Sequence, residues 1–106
     1  MDIGWIRERV ETGRFWVSFT HTEKLRRRRI SLETIQEAVQ TGEIIESYPN
    51  DPRGPSCLIV GRAETGRPVH VVCGKADEDC LIITAYEPDP AEWEPDWRTR
   101  KKETSP

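Results

Sequence analysis

Apolar residues recur at Ile3, Ile6 and Val10, a spacing of three and four that predicts a first helix closed by Gly13. Phe15, Trp16, Val17 and Phe19 predict a short extended segment. Thr20 is followed three residues later by Glu23, a capping box that predicts a second helix running through Arg28. Ser31 is a second N-cap, and Ile30 and Ile35 stand at the two positions of a hydrophobic staple. The helix it opens buries Ile35, Ala38 and Val39 and stops at Gly42. The apolar stripes are narrow, so these helices have to lie on another layer.

That layer is predicted from the pattern after Gly42. Glu43 to Tyr48, Cys57 to Ala63, Pro68 to Cys73 and Cys80 to Tyr86 are short runs rich in β-branched and aromatic residues. Pro49 to Pro55, Glu64 to Arg67 and Gly74 to Asp79 separate them as turns. Such short connections leave no room for crossovers, so neighbouring strands pair antiparallel. Helices first and strands after predict an α+β domain, with N-terminal helices on one face of a four-stranded antiparallel sheet. On a period of two, His70 and Val72 share one face and Val69, Val71 and Cys73 the other; Tyr86 shares a face with Ile82 and Thr84. With Val69, Val71 and Cys73 against the helices, His70 is expected to look out from the open face.

The pattern dissolves after Pro88, where Pro90 and Pro95 forbid a long helix. Residues 1–92 are read as the single domain. Residues 93–106 are read as a tail, packed in part through Trp93 and Trp97 and disordered from Arg98 onward.

Composition adds limits. The 106 residues suit one domain with one modest core. A net charge of −3 gives no global basic field for nucleic acid, so positive charge acts locally. No apolar run approaches the roughly 20 residues that span a bilayer, and no secretory pattern is visible, which predicts a cytoplasmic protein with Cys57, Cys73 and Cys80 as reduced core thiols. The cysteine and histidine spacing predicts no metal site and no cofactor.

The candidate chemistry is that of a phosphate site. His21 would accept or give a proton near neutrality. On a helix, positions 21, 24, 25 and 28 share a face, so His21, Lys24 and Arg28 are expected to converge. Arginine forks match phosphate oxygens, which makes Lys24, Arg28 and Arg29 candidate phosphate ligands. The alternative is a solvated basic face balanced by the nineteen acids of the chain. His70 is a second acid or base, or a histidine held structurally between strands. Tyr86 would donate a hydrogen bond to a phosphate, or pack at a sheet edge.

Ser18-Phe19-Thr20-His21, Arg29-Ile30-Ser31, Gly42 to Pro49, Pro55 to Leu58, Arg67 to Val72 and Ile83 to Pro88 resemble, in this order and spacing, the bacterial and archaeal family catalogued as domain of unknown function 4258. The likeness runs from about residue 15 to about residue 90. It implies a relation to RelE-like toxin ribonucleases and a partner resembling a zinc-finger antitoxin. The matched polar positions are His21, Arg29, His70 and Tyr86. The function expected from these residues is that of a metal-independent ribonuclease, or a toxin-like relative, acting on RNA phosphodiesters. The expectation from a different class is a non-catalytic module that docks an acidic protein through its basic helix.

Overall fold

The computed structural model describes residues 1–18 and 22–102. Among these, three helices and five strands follow in the order α1 (Ile3–Glu11), β1 (Phe15–Val17), α2 (Thr22–Arg27), α3 (Leu32–Thr41), β2 (Glu43–Tyr48), β3 (Ser56–Arg62), β4 (Pro68–Ala76) and β5 (Asp79–Tyr86). The domain is α+β, with one sheet in the order β1-β5-β4-β3-β2.

The sheet is mixed and five-stranded rather than four-stranded and antiparallel. β2 to β5 pair antiparallel in sequence order, while β1 adds to the free edge of β5 in parallel, Phe15 opposite Cys80 and Val17 opposite Ile82. Three residues suffice for this edge, too few for a sequence period to reveal a partner. The turn expected over Gly74 to Asp79 is also tighter. β4 runs on to Ala76, and only Asp77, in the left-handed region at φ 56°, and Glu78 separate it from β5.

Local chemistry fixes the helix ends. Asp2 caps α1 by accepting from the Trp5 N–H at 2.9 Å, and Ser31 caps α3 by accepting from the Thr34 N–H at 3.1 Å. The capping box expected at Thr20, and the strand residue expected at Phe19, lie outside the described residues. α2 closes in a Schellman motif: Ile30 N–H donates to Leu25 O at 3.0 Å and Arg29 N–H to Arg26 O at 3.1 Å, with Leu25 and Ile30 both buried. Arg29 takes the left-handed position of that motif, φ 57°, which normally favours glycine. The Arg67 guanidinium donates to the carbonyls of Arg28 and Arg29 at 3.0 and 3.2 Å and so ties the end of α2 to the sheet.

The helices lie on one sheet face. Ile6, Val10, Leu25, Ile30, Ile35, Ala38 and Val39 pack with Cys57, Ile59, Val69, Val71, Cys73, Cys80, Ile82 and Ala85 in a single core. α3 approaches β3 so closely that a Cβ on Gly61 would stand 1.8 Å from the Ala38 carbonyl oxygen. Thr41 bolts the same seam, its hydroxyl donating to Arg62 O and accepting from Arg62 N–H at 3.1 and 3.0 Å.

Candidate functional site

The opposite sheet face carries the polar residues, and two β-bulges decide which ones. Val72 pairs with Thr84 but Cys73 with Ile82, so Ile83 is an extra residue in β5. Strict alternation would set Tyr86 on the helix side with Ile82. The bulge corrects that expectation: Ile82 and Ala85 both face the core, and Tyr86 stands opposite His70 on the outer face. In β2, Ile44 pairs with Ile59 and Glu46 with Leu58, so Ile45 is extra. Ile44 packs on the core, while Glu46 turns to the face of Leu58 and Tyr48.

His70 is at the centre of this face and is not open to solvent. Its relative exposure is 0 %, where an outward-looking side chain was expected. The cover is the segment after Pro88. Glu94 N–H donates to Thr99 O and Lys101 N–H to Glu92 O, which folds residues 92–101 into a small antiparallel hairpin with a Trp93–Arg100 bridge. Trp93, 2 % exposed, meets the His70 ring edge-on at 4.5 Å, and Tyr86 lies 5.4 Å away on another side. The His70 Nε2 and the Trp97 carbonyl oxygen are 2.7 Å apart. A carbonyl only accepts, so Nε2 carries the proton and Nδ1 keeps a lone pair. Nδ1 is buried with no hydrogen-bond partner among the described residues. Burial holds the imidazole below its usual pKa, outweighing the Trp97 carbonyl and the nearby Glu46 charge, so His70 is neutral at pH 7.

Charged pairs fasten the hairpin to β2. Arg100 makes a bidentate contact with Glu46, at 2.7 and 3.0 Å, and stacks on Trp93 with its guanidinium 4.6 Å from the ring. Tyr48 donates its hydroxyl to the same carboxylate, and Arg98 donates to both oxygens of Glu43. The Arg100 bonds hold the Glu46 carboxyl below the usual carboxylate range. Arg98 and Arg100, expected in a disordered tail, thus make defined contacts, because their charges meet acids of β2.

The expected phosphate ligands divide. Arg28 donates to Ala85 O at 2.8 Å and Thr84 Oγ1 at 3.2 Å, and its guanidinium lies 5.9 Å from the Tyr86 ring centre. Arg28, Tyr86 and His70 therefore form a row from the end of α2 across β5 to β4. Burial raises the Tyr86 hydroxyl above its usual pKa, so it keeps its proton at neutrality. Lys24 and Arg29 are exposed on and beyond α2 and do not join the row. Arg26 and Arg29 border an open, mainly apolar depression lined by Val17, Leu25, Ile30 and Leu32. His21 lies outside the described residues. Sequence patterns missed Glu46, Arg67 and Arg100, and anticipated Trp93 as a packing residue of the tail without its place against His70. Of the three missed, Arg67 had a visible signal, at the head of the strand that bears His70.

The thiols belong to the core. Cys57 and Cys73 are cross-strand neighbours, and Cys80 is also buried. Burial pushes Cys57 up to about 11, so it is a neutral thiol rather than a nucleophile. Among the described residues no group of three or more His, Cys, Asp or Glu side chains is placed to hold a metal ion, and no helix is long and apolar enough to cross a membrane.

No curated protein and no solved structure matches the chain. One family does, over residues 21–87, which includes His21, Arg28, Arg29, His70 and Tyr86 and leaves the covering hairpin outside. On that match the chain belongs to the family described as Domain of unknown function (DUF4258).

Proposed function

We propose that this domain is a toxin-related, RelE-like module that acts on RNA phosphodiesters, with the Arg28–Tyr86–His70 row as its site and the C-terminal hairpin as a cover that lifts for substrate. The observation that carries this is the lone pair on His70 Nδ1, buried beside a proton-bearing tyrosine whose ring an arginine approaches in turn. In the step proposed, His70 Nδ1 takes the proton of a ribose 2′-hydroxyl. The 2′-oxygen bonds to phosphorus and the bond to the 5′-oxygen breaks, with a proton delivered to that leaving oxygen. The expected proton donor is His21. Tyr86 would donate a hydrogen bond to a phosphate oxygen, and Arg28 would offset its charge. Lys24 and Arg29 would hold flanking phosphates, and a zinc-finger antitoxin-like protein is the partner proposed.

The test is incubation with a labelled single-stranded RNA in the presence of a chelator, with analysis of product ends. The expected products carry 2′,3′-cyclic phosphates. His70→Ala should cut at least about 10²-fold more slowly, the usual loss of an acid or base, with Arg28→Ala and Tyr86→Phe also impaired. A second function draws on a separate observation, the exposure of Lys24, Arg26, Arg27 and Arg29 away from the covered face. It is the docking of an acidic protein. Absence of cleavage by the wild type and by a variant with the cover released, together with salt-sensitive binding of an acidic peptide that charge reversal at Arg26 and Arg29 abolishes, would replace the first reading by this one.

A further inference from the structure

We propose that the hairpin 92–101 is an internal ligand, occupying on the outer sheet face the place of one nucleotide of a single-stranded RNA. The inference rests on the RNA reading above and adds what the site binds. Three observations carry it. First, the hairpin lies outside the family match, yet its contacts go to Glu43, Glu46 and His70 within it. Second, what it presents to His70 is a flat aromatic ring at 4.5 Å and an acceptor oxygen at 2.7 Å on Nε2. The Trp93 ring meets the imidazole edge-on, and a base packed edge-to-face together with a ribose or phosphate oxygen supplies the same two features. Third, the fit is incomplete, because Nδ1 is sealed without a partner among the described residues. A ribose hydroxyl entering the site would donate to that lone pair, which the hairpin does not do. The charged pairs of Arg98 and Arg100 are partly exposed, so the fastening is of the kind that opens locally while the domain stays folded. Arg28 at the end of the row supplies positive charge for the phosphate.

The probe is a fluorescent oligoribonucleotide with 2′-O-methyl groups, which binds but lacks the attacking hydroxyl. Its affinity is measured for the full chain, for Arg100→Glu and for Trp93→Ala, with carbethoxylation of His70 followed by mass spectrometry as an independent report of opening. Arg100→Glu repels Glu46 and should release the hairpin, making His70 reactive and binding about tenfold tighter. The charge change alone predicts weaker RNA binding, so a gain isolates the release. Trp93→Ala should give the same gain by emptying the ring position. Reactive His70 with unchanged or weaker binding in both variants overturns the inference, as does a His70 that stays shielded in both. Tighter binding without cleavage of unmodified RNA upholds the internal ligand and defeats the ribonuclease reading instead.

Discussion

Gly61→Ala is expected to destabilise the domain by about 3 kcal/mol or more, the upper range for overpacking a core. The added methyl would stand 1.8 Å from the Ala38 carbonyl oxygen and 2.5 Å from its carbonyl carbon, both of them backbone. No rotamer change relieves a clash with backbone, so α3 has to lift from β3. Lifting breaks the Thr41 contacts to Arg62 and opens the layer formed by Ile35, Ala38 and Val39. Against a typical net stability of roughly 5–15 kcal/mol, such a loss is a large fraction. Urea denaturation measures it directly; a shift worth less than about 1 kcal/mol would mean that α3 rides on the sheet more loosely than described.

Ile35→Ala should cost about 2–5 kcal/mol, the range for truncating a fully buried aliphatic side chain. Ile35 is 0 % exposed, completes the staple with Ile30 and meets the sheet from the centre of α3. The cavity it leaves is bounded by a rigid strand surface that collapses little. Arg27→Ala is the control, expected to change stability by no more than about 0.5 kcal/mol. Among the described residues its ion pair is with Glu23 at 3.9 Å, and both side chains are well exposed. Equal effects from the two substitutions would misplace the buried face.

Much of this fold was legible because single residues punctuate it. Ser31, Gly42 and the Ile30/Ile35 pair delimit α3, and Gly66 turns β3 into β4. What alternation could not deliver was the side of the sheet on which Tyr86 and Glu46 emerge. Each follows a bulge at the second of two consecutive isoleucines, Ile44-Ile45 and Ile82-Ile83. The extra residue in each is the second isoleucine, which a period of two passes over; Leu58-Ile59-Val60 runs in unbroken register with β4, so doubling alone does not mark a bulge. The cover was illegible for a different reason. Arg98 and Arg100 sit in a polar, proline-bearing stretch, and their acids, Glu43 and Glu46, lie more than fifty residues earlier. Local composition carries no information about such a pairing. The face of His70 was legible from Val69 and Val71, but its shelter depended on that distant segment.

That shelter has a sign in pH. A histidine whose folded pKa is depressed binds its proton more readily when unfolded, so its contribution to stability is complete above the ordinary value near 6.5 and is lost as pH falls from there through the folded value. Glu46, depressed by Arg100, adds a second loss at lower pH, below the ordinary carboxylate value. Both weaken the closed form in acid.

The covered site at His70 is tested most directly by an NMR titration of the two imidazoles, His21 and His70, assigned by substitution, in the wild type and in Arg100→Glu. The expected result is that the His70 signal in the wild type titrates below pH 6.5, with the shifts of a neutral ring protonated on Nε2, and that it moves up toward 6.5 once Arg100→Glu releases the hairpin. A His70 that titrates near 6.5 in the wild type, unchanged by Arg100→Glu, would contradict the covered site.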